Sequence, residues 1–274
     1  DPDRKKMSKS KGNVVTPAGM LVEHGSDAVR YWASSSKLGT DAAFDPQNPK
    51  VVKIGRRLAI KVLNAAKFVY SFPAADGRQL DLVTAPLDRD LLAELREVVA
   101  TATHAFEEYD HARALEVAEQ FFWTFCDDYL ELVKERAYAG GGDRSSAVAA
   151  LRTAIDVLLR LFAPFIPFAT EEVWSWTHDD SVHTAAWPSP DELPEGPSGL
   201  LALASAALID IRRAKTEAKA SQRTPVASAT LAGPARVAQA LDDLRAVGRI
   251  ERLELVEAEE IAVRDIVLAE PPEA

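Results

Sequence analysis

At 274 residues and 29.8 kDa, the chain is long enough to bury a sizeable core as one large domain or two smaller ones. Its 47% hydrophobic and 27% charged content is that of a globular protein, and a single cysteine, Cys126, excludes an intramolecular disulfide framework and a multi-cysteine zinc site. No apolar run approaches the ~20 residues of a membrane span and no apolar signal segment opens the chain, so a cytoplasmic location without a membrane partner is expected. The formal charge of −10 is uneven: residues 1–68 carry 13 Lys or Arg against 6 Asp or Glu, and the remainder 19 against 36. A basic end on an acidic body points to a polyanion contact confined to one region; the alternative is an ordinary solvated charged surface.

Residues 1–15 read as an exposed, mobile loop rich in Ser, Gly and Lys. Thr16 as N-cap, Pro17 at the first helical position and Gly25 past the end predict a short helix. Ser26 or Asp27 can cap a second one over AVRYWASSS, and Pro46 and Pro49 introduce a long third helix, VVKIGRRLAIKVLNAAKFVYS, which Pro73 ends. Amphipathic patterns predict helices over about 88–108 and, capped by Asp110, about 111–138. A GGGDRSS loop precedes a helix over AVAALRTAIDVLLRLF, which APFIPF breaks before ATEEVWSWT starts another. Four or five antiparallel amphipathic helices with short loops make a helical bundle. The Pro-rich WPSPDELPEGPSG reads as a linker, followed by a helix over about 199–220. A strand (VASATLA), a helix (PARVAQALDDLRAV) and two strands (RIERLELVE, IAVRDIVLA) then predict a small α/β appendage. The expected organisation is a loop and helices over 1–45, a helical bundle over 46–190, and a linker, helix and α/β subdomain over 191–274.

The stretch that carries chemistry is Lys6-Met7-Ser8-Lys9-Ser10, followed by Lys11-Gly12-Asn13. It offers ammonium groups and two hydroxyls on one loop, suited to closing over a polyphosphate and neutralising the charge that builds on it during displacement. The bland alternative is a basic tail.

KMSKS followed by KGNVVTP resembles the second signature of class I aminoacyl-tRNA synthetases. HGSDAVRYWASSSKLGTDAAFD (24–45), GRRLAIKVLNAAKFV (55–69), ATEEVWSW (169–176), SVHTAAWP (181–188) and IRRAKTEAKASQRTP (211–225) are similar to the valine family in particular. The resemblance covers nearly the whole chain. It implies the part of a valine-activating enzyme that starts at the KMSKS loop and contains the anticodon-binding helical domain. The family's HIGH-type motif does not occur in this sequence, so these residues are expected to be inactive alone. In the full-length enzyme the resemblance implies ATP with Mg2+, valine and tRNA(Val) as partners, and a monomer. Lys9 matches the lysine that helps stabilise pyrophosphate as adenylate forms, and is the implied ATP-binding residue. Lys6, Ser8 and Ser10 match the other polar catalytic positions, with Met7 a packing anchor.

On the third helix, Lys53, Arg57, Lys61, Asn64, Lys67 and Phe68 recur at spacings of three or four, opposite an apolar stripe of Ile54, Leu58, Val62, Ala66 and Val69. Cations and an aromatic on one stripe suit a single-stranded RNA loop. The resemblance places Asn64, Lys67 and Phe68 beside the anticodon; periodicity alone leaves Phe68 equally a core residue. A second stripe, Arg212, Lys215, Lys219 and Arg223, is either a phosphate-contacting or a solvated face. Phe121, Phe122, Trp123, Phe125 and Tyr129 read as bundle core, Trp174, Trp176 and Trp187 as packing at its end, and Cys126 as a buried apolar residue. His104 and His111 lack further ligands at metal spacing, so no metal site is expected, and Glu257, Glu259 and Glu260 read as a solvated turn. Two alternatives stand beside the valine family: the isoleucine or leucine counterpart, and a free-standing RNA-binding module. Isoleucine enzymes often carry a cysteine-rich zinc site, which one cysteine cannot build, and tend to read GAD where this chain has Gly25-Ser26-Asp27.

Overall fold

The computed structural model describes residues 6–14, 16–40, 42, 45, 47–74 and 79–269. The expectation of a mobile segment over 1–15 falls partly on residues 1–5 and 15, outside those described. Helices run over Ala18–His24 (α1), Ser26–Ser34 (α2), Lys50–Tyr70 (α3), Gln79–Leu82 (α4), Pro86–Glu107 (α5) and His111–Thr124 (α6). Leu130–Tyr138 (α7), Gly142–Phe162 (α8), Pro167–Trp174 (α9) and Leu200–Glu217 (α10) follow. Strand β1 (Val226–Gly233), helix α11 (Leu241–Gly248), and strands β2 (Ile250–Glu257) and β3 (Ala262–Leu268) complete the order. The fold is mainly α with a small sheet, as the hydrophobic periodicity predicts. Among the described residues no helix is long and apolar enough to cross a membrane.

The chain divides into two units, one of residues 1–71, 97–122 and 154–192, the other of 72–96, 123–153 and 193–274. In the first unit, α1 and α2 are separated by Gly25 alone, at φ 85°, a conformation other residues adopt only with strain. Asp27 in the first turn of α2 accepts hydrogen bonds from the backbone N–H of Phe168 (3.1 Å) and Ala169 (2.8 Å), so one carboxylate caps α9 from another helix. Arg30 donates to the Pro164 carbonyl at 2.8 Å, and the Tyr31 hydroxyl to Glu119 at 2.6 Å. Aromatic edges lock the interior: Phe122 meets Phe162 at 5.5 Å, and Phe106 meets Trp187 at 5.2 Å.

The second unit is organised by the buried carboxylate of Asp88. It accepts from both terminal nitrogens of Arg136 (2.7 and 3.0 Å), from the Tyr129 hydroxyl (2.9 Å) and from the Ser146 hydroxyl (2.6 Å). Arg136 Nε donates to Asp243 at 2.7 Å, which ties α7 to α11. Burial pulls against the Arg136 charge, but Asp88 and Asp243 outweigh it, and the guanidinium proton is held more tightly than usual. The sheet has the order β2-β1-β3, with β1 parallel to β2 and antiparallel to β3. Helix α11 lies in the parallel crossover, and Val226, Leu231 and Ile250 are buried.

Four expectations change in detail. The helix over 111–138 carries a π turn at Phe125–Tyr129, and the extra residue lets Phe125, Cys126 and Tyr129 all face inward. Helix α8 starts at Gly142, within the expected loop, because the buried Ser146 hydroxyl is held by Asp88 and accepts from the backbone N–H of Thr84 and Ala85. The stretch over 234–247 is a 3-10 segment, Ala235–Ala240, before α11. The Pro-rich segment is not a free linker: Leu193 is buried, and its carbonyl accepts from Arg96 at 3.2 Å.

Candidate nucleic-acid interface

The KMSKS segment closes on itself. Lys9–Lys11 form one 3-10 turn ended by Gly12, and the Asn13 side chain accepts from the Ser8 N–H at 2.9 Å while donating to the Lys6 carbonyl at 3.4 Å. The Ser8 and Ser10 hydroxyls stand 3.2 Å apart. Lys6, Lys9, Ser10 and Lys11 are exposed, with Met7 and Ser8 half-buried. Ammonium groups and paired hydroxyls on a stapled turn form a donor set that fits a polyphosphate. No carboxylate lies between Lys6 and Asn13, so the turn offers a magnesium ion no carboxylate ligand.

Helix α3 carries six cations and no acidic residue. Val52, Leu58, Val62, Ala65, Ala66 and Val69 are buried, and Gly55 joins them where α2 crosses. Ile54, expected on this apolar stripe, is 45% exposed: Gly55 takes the crossing point, and the core face turns toward Val52 and away from Ile54. Lys53, Arg57, Asn64 and Lys67 are exposed, while Lys61 and Phe68 are half-buried, so the expected stripe is one face of one helix.

Its N-terminal half lines a groove of about 430 Å³ with His24, Lys53, Arg56, Arg57, Ile60, Lys61 and Asn64. Arg56 donates to the Glu23 carbonyl, which holds the end of α1 against α3. The His24 side chain is only 6% exposed, and among the described residues its Nε2 has no hydrogen-bond partner; Glu23 Oε1 stands 3.6 Å away. A buried ring nitrogen without a hydrogen bond is costly. His24 and Arg56 carry no periodic or compositional signal and were not foreseeable from the sequence.

The second expected stripe is corrected. Lys215 is 1% exposed, and its ammonium donates to the carbonyls of Gly248 (2.8 Å) and Gln222 (3.1 Å). Burial, with Arg249 beside it, pulls its pKa down. Helix α10 ends at Glu217, so Lys219 and Arg223 are exposed beyond it and share no helical face with the others. Arg212 pairs with Asp128 at 3.1 Å and donates to the Asp127 carbonyl at 2.7 Å. Contacts within the chain claim the two members on the helix: backbone carbonyls hold Lys215 and the Asp128 carboxylate holds Arg212.

The aromatic core residues Phe121, Phe122, Phe125 and Tyr129 are buried, and burial with Asp88 alongside pushes the Tyr129 hydroxyl well up. Trp174 is buried and stacks on His178 with ring centroids 3.7 Å apart. Trp176 is not packed away as expected: 36% of it is exposed. Among the described residues no group of three or more His, Cys, Asp or Glu is placed to hold a metal ion.

Comparison with known proteins adds three findings. Residues 88–231 match the family described as the anticodon-binding domain of tRNA ligase, and residues 1–45 match the class I tRNA synthetases for I, L, M and V. The valine–tRNA ligase of Leifsonia xyli subsp. xyli is 60% identical over 281 residues, spanning 100% of this chain and 33% of its own length. That of Thermobifida fusca is 54% identical over 280 residues, 98% of this chain and 31% of its own. The chain thus spans about one third of the length of the curated relatives it matches. Among solved structures, the Agrobacterium radiobacter K84 agnB2 LeuRS, in a ternary complex with tRNA and LeuAMS, shares the fold over 70% of this chain and 23% of its own. The TM-score is 0.54 and the identity 23%.

Proposed function

Starting from the fact that this chain belongs to the anticodon-binding domain family of tRNA ligases, we propose that it is the tRNA-reading part of a valine–tRNA ligase. In this reading the whole enzyme, a cytoplasmic monomer, activates valine with ATP and transfers it to tRNA(Val). Relatives bearing the valine name at 60% and 54% identity support the amino acid over its isoleucine and leucine counterparts. Residues 1–45 supply the KMSKS loop and helices toward the tRNA stem, 46–190 the anticodon-binding bundle, and 191–274 a linker, a helix and a small α/β subdomain.

The observation that carries the RNA reading is the α3 face: six cations, no acid, and a groove of about 430 Å³ lined by four of those cations, Lys53, Arg56, Arg57 and Lys61. Lys53, Arg57 and Lys61 hold phosphates of the strand. Asn64, Lys67 and Phe68 meet the anticodon loop: amide to base edge, ammonium to phosphate, ring to base face. Lys219 and Arg223 add phosphate contacts without base reading.

ATP, as substrate, transfers its adenylyl group to valine: a carboxylate oxygen bonds to the α-phosphorus as the α–β phosphoanhydride bond breaks and pyrophosphate leaves. Lys9 holds its ammonium on the pyrophosphate oxygens as their charge grows, Lys6 adds a second positive charge, and Ser8 and Ser10 donate hydroxyl hydrogen bonds. The Asn13 staple keeps these donors on one turn.

Binding of a valine tRNA transcript tests the RNA reading. Phe68→Ala is expected to cost about 1–3 kcal/mol of binding with the fold intact, and Lys67→Ala to flatten the salt dependence because one fewer counterion is released. A Phe68→Ala variant that melts far lower yet binds normally while folded makes Phe68 a core residue instead.

A further inference from the structure

Trp174 and Trp176 stand two residues apart and face opposite environments. Trp174 is 4% exposed and stacked on His178; Trp176, just past α9, is 36% exposed. Two contacts fix the plane of the exposed indole. Its Nε1 donates to Glu172 Oε1 at 3.1 Å, and its ring meets Tyr70 edge to face, with centroids 6.4 Å apart at 78°.

Tyr70 is the last residue of α3, and Lys67 precedes it by three, which puts the two on adjoining positions of the helix surface. The indole therefore stands beside the C-terminal end of α3, against the residue that adjoins Lys67. The carboxylate of Glu172 is engaged by the indole N–H. A tryptophan left partly in water still exposes ring face that a partner can cover, and the charge next to it selects which partner suits. Six cations on α3 select a polyanion, and a flat ring of fixed orientation selects a polyanion whose bases are unpaired. A duplex, with its base faces already stacked, offers the ring nothing.

We propose that Trp176, backed by Tyr70, is a stacking platform for an unpaired base of the RNA strand whose phosphates α3 holds. The proposal rests on the RNA-binding reading of α3. Because both anchors hold the ring in advance, stacking a base on it orders little that is not already ordered. The local sequence gives no sign of this, since two tryptophans so close together both read as packing.

The test titrates the 274-residue chain with a synthetic anticodon stem-loop of a valine tRNA carrying 2-aminopurine in its loop, and with the blunt duplex of the same stem. Trp176→Leu, which keeps apolar volume but has no aromatic face, is expected to weaken stem-loop binding roughly 5- to 100-fold and to leave the duplex unaffected. Trp176→Phe, which keeps an aromatic face, is expected to stay within about threefold of the parent and to retain quenching of the 2-aminopurine. The second measurement needs only this conservative variant: the loss of tryptophan emission that the stem-loop causes in the parent should disappear in Trp176→Phe. Quenching of equal size in parent and Trp176→Phe overturns the proposal. So does unchanged affinity in Trp176→Leu while Lys67→Ala still weakens binding, a result that leaves the α3 reading standing. A parent chain that binds the stem-loop no more tightly than the duplex overturns both.

Discussion

Tyr31 and Gly55 touch where α2 crosses α3: a Cβ on Gly55 would stand 2.5 Å from the Cβ of Tyr31 and 2.7 Å from its Cγ. The tyrosine cannot yield cheaply, because its hydroxyl donates to Glu119 at 2.6 Å, and burial together with that carboxylate raises its pKa. The cationic face of α3 therefore keeps its position through a glycine on the opposite side. Gly55→Ala is expected to destabilise the fold by about 1–3 kcal/mol, despite the better helix propensity of alanine. Denaturant unfolding of the two chains measures it; an alanine variant as stable as the parent means the crossing adjusts freely.

Lys9 is exposed on a turn stapled by Asn13. In the full-length enzyme, Lys9→Ala is expected to lower valine-dependent pyrophosphate exchange by orders of magnitude with tRNA affinity nearly unchanged. An interaction with charge that appears only in the transition state changes rate, not ground-state binding. Normal exchange by the variant makes Lys9 a solvated loop residue.

Lys215 gives the opposite pattern. Lys215→Met removes the donor from the carbonyls of Gly248 and Gln222, at an expected cost of about 1–3 kcal/mol in stability. RNA affinity and its salt slope are expected to match the parent's while the variant is folded, because the ammonium never reaches solvent. A reduced salt slope with an unchanged melting temperature reinstates it as a phosphate contact.

Glu94 makes stability depend on pH. Burial, then the neighbouring Asp90, pushes its carboxyl up to about 7 from 4.5. The folded chain holds this proton more tightly than the unfolded one, so stability falls as pH rises from about 4.5 to about 7 and stays reduced above. Glu94→Gln is expected to match the parent near pH 4.5 and to exceed it by about 1 kcal/mol above pH 7, a figure discounted because the group is partly solvated. Urea melts across this range check it; a parallel offset at every pH removes Glu94 as the cause.

Helix positions and the α3 stripe were legible in the sequence because each depends on chain-local rules: a period of 3.6, a cap, a proline, a run of charges. The stripe of Lys53, Arg57, Asn64 and Lys67 faces outward because the residues opposite them are apolar, a relation one helix carries within itself. Which ends of that pattern are accessible was decided elsewhere. Ile54 became exposed and Gly55 buried because α2 crosses there, and the Gly142–Ser146 stretch became helical because Asp88, far away in sequence, holds the Ser146 hydroxyl. Lys215 and Trp176 show the limit most plainly. A lysine at helical spacing from Arg212 reads as surface until Gly248 and Gln222 close over it, and a tryptophan beside Trp174 reads as core until Glu172 and Tyr70 hold it at the edge. Burial is a property of what the rest of the chain brings against a side chain. The sequence alone determined the face of each helix; only the packing decided which faces met water.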